Sequence, residues 1–155
     1  MADHGVGGSA GKIDKSCLIF SWEHSDVAKE TTNKGFETIL CPGQKTYFDM
    51  AYNNSTEERG ICWASTIEVK EVFEWKPLQD YNSDDVVNIL GIQGQLWSET
   101  ITNEEYFDEM VNPRLAALAE IAWCSKAKRS WSQFRSSLLN NMEHLVKMGW
   151  KFHTF

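Results

Sequence analysis

Apolar residues along this chain gather into three short runs of strand character and two longer stretches with helical spacing. The first run, Leu18-Ile19-Phe20-Ser21-Trp22, closes on the polar Glu23-His24-Ser25. Asp26 stands where it can cap a helix over Val27 to Asn33, and Gly35 stops that helix. Phe36-Glu37-Thr38-Ile39-Leu40-Cys41 reads as a second strand, broken by Pro42-Gly43. A third strand is expected over Val86 to Ile92. Strand, helix, strand with short links favours a parallel sheet. Residues 44–85 form a long polar and aromatic excursion with only fragments of regular pattern. A segment of that length in a compact domain either serves function or hides an element.

Further on, Asn112-Pro113-Arg114 opens a helix to about Cys124, with Asn112 as cap and Pro113 in the first turn. Leu115, Leu118, Ala119 and Ala122 make its expected apolar stripe. Ser130 caps a last helix in which Trp131, Phe134, Leu138, Met142 and Leu145 recur at helical spacing as core residues, and Gly149 ends it. Lys126, Lys128 and Arg129 decorate the turn between these two helices.

The chain's 155 residues suffice for one domain with a real core. Its formal net charge of −7, without a basic stripe, argues against nucleic acid as a partner. No apolar run approaches the length that spans a bilayer. Residues 1–16, which include a Gly-, Ser- and Ala-rich stretch, read as a flexible leader without the apolar run of a secretory signal, and residues 17–155 as the structured portion. Cys17, Cys41, Cys62 and Cys124 are widely spaced and are expected as free, buried thiols. No Cys/His spacing suggests a metal site, and no motif implies an organic cofactor.

Seven tryptophans exceed ordinary usage and serve either as large core residues or as stacking platforms for flat faces such as sugars. The stretch Gly94-Gln95-Leu96-Trp97-Ser98-Glu99-Thr100 sharpens that choice, because it follows the third strand directly. If the strand persists, Trp97 and Glu99 share a face, an indole to stack on a pyranose and a carboxylate to accept from its hydroxyls. A buried Trp beside a surface Glu is the other reading.

Four separated pieces carry a resemblance: Tyr47-Phe48-Asp49-Met50, Glu58-Arg59-Gly60-Ile61-Cys62-Trp63-Ala64, Gly94-Gln95-Leu96-Trp97-Ser98-Glu99, and Pro113-Arg114-Leu115-Ala116-Ala117-Leu118-Ala119-Glu120. In this order they resemble the C-terminal part of family 20 glycoside hydrolases, the β-N-acetylhexosaminidases, and most of all the chitobiase-like branch. The resemblance implies an α/β fold, a partial (β/α)8 TIM barrel whose site lies at the C-terminal ends of the strands. On that template Leu18 to Trp22 is strand six, Phe36 to Cys41 strand seven and Val86 to Gln95 strand eight.

The family cleaves terminal N-acetylglucosamine or N-acetylgalactosamine with retention, the substrate's own 2-acetamido oxygen acting as nucleophile. By motif match, Tyr47 would donate its hydroxyl to that oxygen, and Trp22 and Trp97 would wall the acetamido pocket. Asp49 and Glu99 would hold the hydroxyls at positions 4 and 6, and Trp63 would stack under the next sugar. Arg114 and Glu120 are read as structural, and His24 as a surface residue. The implied partner is an N-acetylhexosamine-containing glycan or chitooligosaccharide; relatives are commonly secreted, periplasmic or lysosomal. The family's Asp-Glu acid–base pair follows strand four, whereas this chain begins around strand six. Glu57-Glu58, Asp84-Asp85 and Glu104-Glu105 do not follow strands in the required way. The expectation is therefore a C-terminal barrel fragment that contributes sugar-binding residues but does not hydrolyse alone, with self-association through exposed barrel edges. The alternatives are a non-catalytic sugar-binding remnant or an inert structural fragment.

Overall fold

The computed structural model describes residues 13–155, so most of the expected leader lies outside the described residues. Three strands form one parallel sheet in the order β1-β2-β3: β1 Ile19–Ser21, β2 Thr38–Leu40 and β3 Ile89–Ile92. Ile19 pairs with Thr38 and Ser21 with Leu40; Leu40 in turn pairs with Ile92. Residues alternate between buried and half-buried along β1 and β2 because successive side chains leave opposite faces.

Helix α1, Ser25–Asn33, is the crossover between β1 and β2. It starts two residues earlier than expected: His24 is the N-cap and Asp26 lies in the first turn, where its carboxylate faces the positive end of the helix dipole. Gly35 ends it at φ +76°, donating to Thr32 O.

The excursion after β2 hides elements, one of the two outcomes its length allows. It begins with the short α2, Gly43–Thr46, and includes α3, Val69–Glu74, and α4, Ser83–Val86. It supplies Tyr47, Phe48, Met50, Tyr52, Ile67, Val69, Val72 and Phe73 to the main core. The third strand is shorter than expected because Asn82 and Asp85 form a reciprocal capping box. The Asn82 side chain accepts from the Asp84 and Asp85 amides, and Asp85 accepts from the Asn82 amide. That turn captures Val86, leaves Val87 78% exposed and starts β3 only at Ile89.

Helix α5, Glu104–Val111, has no counterpart in the pattern reading; Asn103 caps it by accepting from the Tyr106 amide. Asn112 therefore closes α5 instead of opening the next helix, donating to Asp108 O (2.7 Å). Helix α6, Arg114–Trp123, follows, with Pro113 at its N-cap. Its buried face is Arg114, Ala117, Leu118 and Ile121, while Leu115, Ala119 and Ala122 are exposed. The expected stripe is thus corrected, Leu118 alone of its four residues being buried: the helix is apolar almost all round, so periodicity does not fix its face, and packing against α3 selects it.

A short 3-10 turn, Lys126–Lys128, carries the basic residues into α7, Trp131–Lys147. Leu138 is buried, and Trp131 and Phe134 pack on the Phe73 ring at 5.4 and 5.0 Å between centroids. The four cysteines are free; Cys41 is buried, but Cys62 is exposed, against the expectation of burial. His24 is exposed.

Candidate active site

The C-terminal ends of the strands are continued by a ladder of main-chain bonds that brings the loops together. Gly43 donates to Trp22 O (2.8 Å), Gln93 to Leu40 O (3.0 Å) and Gln95 to Thr46 O (2.8 Å), and Phe48 donates to Gln95 O (2.6 Å). Tyr47 and Gln95 thereby form a parallel bridge beyond the regular sheet. A second bridge, Met50 with Ile61, folds the excursion back: Ile61 donates to Asp49 O (2.9 Å) and Ala51 to Ile61 O (2.8 Å). Gly94 is required here because a methyl at its position would lie 2.7 Å from the Phe48 ring and 2.9 Å from Leu118.

These connections line one cavity of about 560 Å³ with Trp22, Tyr47, Asp49, Trp63, Trp97 and Glu99, together with Phe20, Ile61 and Gln95. All six residues singled out from the sequence thus meet in one place. The expected route for Trp97 and Glu99 differs, since regular strand ends at Ile92 and both lie in irregular backbone after the Gln95 bridge. Phe20 and Gln95 each stand two residues before a chosen Trp, and strand alternation was the signal that could have found them. Ile61 had no such signal.

The aromatic walls are organised around Tyr47. Its ring centroid lies 6.4 Å from Trp22 in a stacked arrangement at 27°, 6.0 Å from Trp63 edge-on at 74°, and 6.0 Å from Trp97 at 60°. Trp22 and Trp63 meet edge-to-face at 6.2 Å. Such pairs hold ring orientations that a single exposed indole would not keep. Tyr47 is buried, yet Trp63 is 58% and Trp97 49% exposed, so both indoles retain open surface at the cavity rim.

Asp49 is the buried carboxylate of the site, at 1% exposure. Its Oδ1 accepts a long bond from the Trp97 amide (3.4 Å), and its Oδ2 is buried with no hydrogen-bond partner. Burial pushes its carboxyl above the usual range; the Asp49 and Trp97 amides oppose this, the Glu99 charge reinforces it, and Arg114 counters it. An acceptor oxygen desolvated without a donor is costly unless a ligand hydroxyl supplies one. Glu99, by contrast, is exposed at the rim. Gln95 lies deeper, donating to the Cys41 thiol (3.4 Å), with its Oε1 buried and unpartnered.

Comparison with known proteins agrees across sequence and structure. Residues 3–126 match glycosyl hydrolase family 20, catalytic domain. A β-hexosaminidase of Vibrio furnissii is 38% identical over 110 residues, covering 70% of this chain and 18% of the relative. A β-N-acetylhexosaminidase of Cellulomonas fimi is 30% identical over 148 residues, covering 94% of this chain and 30% of the relative. In three dimensions the chain superposes with a TM-score of 0.91 and 32% identity on the family 20 exo-β-N-acetylglucosaminidase of Vibrio harveyi in complex with N-acetylglucosamine, covering 99% of this chain and 24% of that one. The chain thus spans less than a third of the length of these relatives. With the family match extending over most of its residues, the chain belongs to glycosyl hydrolase family 20, as part of the catalytic domain.

Proposed function

We propose that this chain is the sugar-binding portion of a β-N-acetylhexosaminidase barrel, strands six to eight, and that it takes the terminal N-acetylhexosamine of a glycan or chitooligosaccharide. The observation that carries the reading is the convergence of three indoles and one phenol with one buried, donor-seeking carboxylate in a single cavity. Trp22 and Trp97 flank Tyr47 and would enclose the acetamido group, excluding water from it. The Tyr47 hydroxyl would donate to the acetamido oxygen and hold it for attack on the anomeric carbon. Asp49 Oδ2 would accept from a sugar hydroxyl at position 4 or 6, with Glu99 accepting from the other at the rim. Trp63, edge-on to both Trp22 and Tyr47, would offer its open face to the next sugar.

Hydrolysis also needs an acid to protonate the leaving oxygen and a base to activate water, and such groups contribute about 10²–10⁴ in rate. The carboxylates of this cavity among the described residues are Asp49 and Glu99, both engaged in the sugar-holding roles above. The chain by itself is therefore proposed to bind without turnover. The open edges of β1 and β3, with Leu90 exposed on β3, favour self-association, which sedimentation velocity would detect.

The test is a pair of measurements on the purified chain: release of 4-nitrophenol from its N-acetyl-β-glucosaminide, and titration of tryptophan fluorescence with N-acetylglucosamine. Saturable quenching with background release is the expected result. Release that falls with Glu99→Ala would overturn the assignment of Glu99 to binding, and absence of any binding would overturn the sugar-site reading itself.

A further inference from the structure

Arg114 is a full positive charge at 0% exposure that the sugar chemistry leaves unused. All five of its N–H donors go to main-chain carbonyls. Nε donates to Met110 O (3.1 Å), Nη1 to Met50 O (2.7 Å) and Ile67 O (3.2 Å), and Nη2 to Phe48 O (2.6 Å) and Met110 O (2.5 Å). The guanidinium carbon lies 3.7 Å from the Tyr52 ring centroid and 5.3 Å from that of Phe48. No carboxylate forms an ion pair with it among the described residues. Filling space alone does not call for such a group, because buried ions are often replaced by apolar residues with no loss of stability.

What the fork does is local to the site. Two of its acceptors, Phe48 O and Met50 O, flank Asp49, whose own carbonyl accepts from the Ile61 amide (2.9 Å). Upstream, the Phe48 amide is held by Gln95 O (2.6 Å). Three consecutive carbonyls are thereby pinned, and the Asp49 side chain is left to face the cavity. A planar guanidinium can hold both flanking carbonyls at once, whereas an ammonium offers a point charge without that fixed fork.

We propose that Arg114 is a positioning residue, fixing the Phe48–Met50 main chain so that Asp49 presents its unpartnered carboxylate oxygen to the ligand. This rests on the sugar-site reading for the identity of the ligand, but the coupling between Arg114 and Asp49 stands apart from it. The positive charge behind Asp49 also works against the effect of burial on its carboxyl, whose other charged neighbour is Glu99.

The first measurement uses the wild-type chain: the Arg114 Nε–H and the Asp49 carboxyl carbon are followed by NMR through a pH titration. The Arg114 signal is expected to exchange slowly and to shift with the Asp49 midpoint. A signal indifferent to Asp49 overturns the proposal, whether or not any sugar binds and whether or not any variant folds. The second compares Arg114→Lys with wild type in binding N-acetylglucosamine and its 4-deoxy and 6-deoxy analogues, with folding checked by urea denaturation. The folded variant should lose roughly tenfold of its preference for the hydroxyl that Asp49 holds, the worth of one hydrogen bond to a charged group. Equal weakening for all three sugars, or full retention of the preference, means a merely structural arginine and overturns the proposal. A wild-type chain that binds none of them refutes the sugar-site reading, and the titration alone then decides the role of Arg114.

Discussion

Replacing Gly60 with alanine separates two physical terms that usually arrive together. Gly60 sits at φ +104°, and a methyl there would lie 2.7 Å from Ala51 N, 2.7 Å from Asp49 O and 2.9 Å from the Met110 methyl. Gly35 (φ +76°) and Gly149 (φ +96°) share the positive φ, but a methyl at either would meet nothing within 4 Å. Holding a non-glycine residue in a sparsely populated backbone region costs about 1–3 kcal/mol. Two contacts with fixed backbone atoms add a term of the overpacking kind, about 1–3 kcal/mol, since neither atom can swing aside. Gly35→Ala and Gly149→Ala are thus expected to lose about 1–3 kcal/mol and Gly60→Ala about 2–6 kcal/mol, a large part of the roughly 5–15 kcal/mol that stabilises a domain. Urea unfolding followed by tryptophan fluorescence measures all three. The loss at Gly60 should also weaken N-acetylglucosamine binding, because the displaced atoms belong to the bridge that holds Asp49 and leads to Trp63. A Gly60→Ala chain no less stable than the two controls would refute the steric argument.

Asp49 has a folded-state carboxyl raised above the ordinary 3.8, so its contribution to stability is fully present below that value and is lost as pH rises through the raised midpoint. Asp49→Asn should therefore gain stability relative to wild type between acid and neutral pH, and a difference in unfolding free energy that is flat with pH would contradict the desolvation reading. Trp63→Ala removes two edge-on ring contacts, about 0.5–1.5 kcal/mol each, and should weaken a two-sugar N-acetylglucosamine ligand more than the monosaccharide in calorimetry. His153 lies flat on Tyr52 (3.7 Å, 6°), with Nε2 3.0 Å from both Glu58 carboxylate oxygens, and its amide donates to Asn112 O. His153→Ala should cost about 1–2 kcal/mol and raise hydrogen exchange over residues 150–155, and unchanged protection there would show the tail to be held by other means.

Elements governed by neighbours in sequence were legible. The first two strands, α1 and α7 follow from alternation, a stopping glycine and the i, i+3, i+7 spacing of Trp131, Phe134 and Leu138. That six named residues share one cavity was legible too, because three of the four motifs contain five of them and the first strand run ends on Trp22. Elsewhere a short capping signal overrides the longer hydrophobic pattern around it. The Asn82–Asp85 capping box withdrew Val86 from a run that looks like strand, and Asn103 announced α5, whose amphipathic pattern buries only Met110.

The amino-acid order alone determined where helices and strands could start and stop, and which aromatic and acidic side chains were available to a sugar. Only the tertiary structure decided that residues 47–52 are core, that α6 turns Ala117 and Ile121 inward instead of Leu115 and Ala122, and that Asp49 is buried with its Oδ2 lacking a donor. The reason is range. Capping and periodicity act over three or four residues, whereas the Arg114 fork reaches Phe48 across 66 residues and Met50 across 64. Such contacts exist only after the parallel strands have brought the chain back on itself.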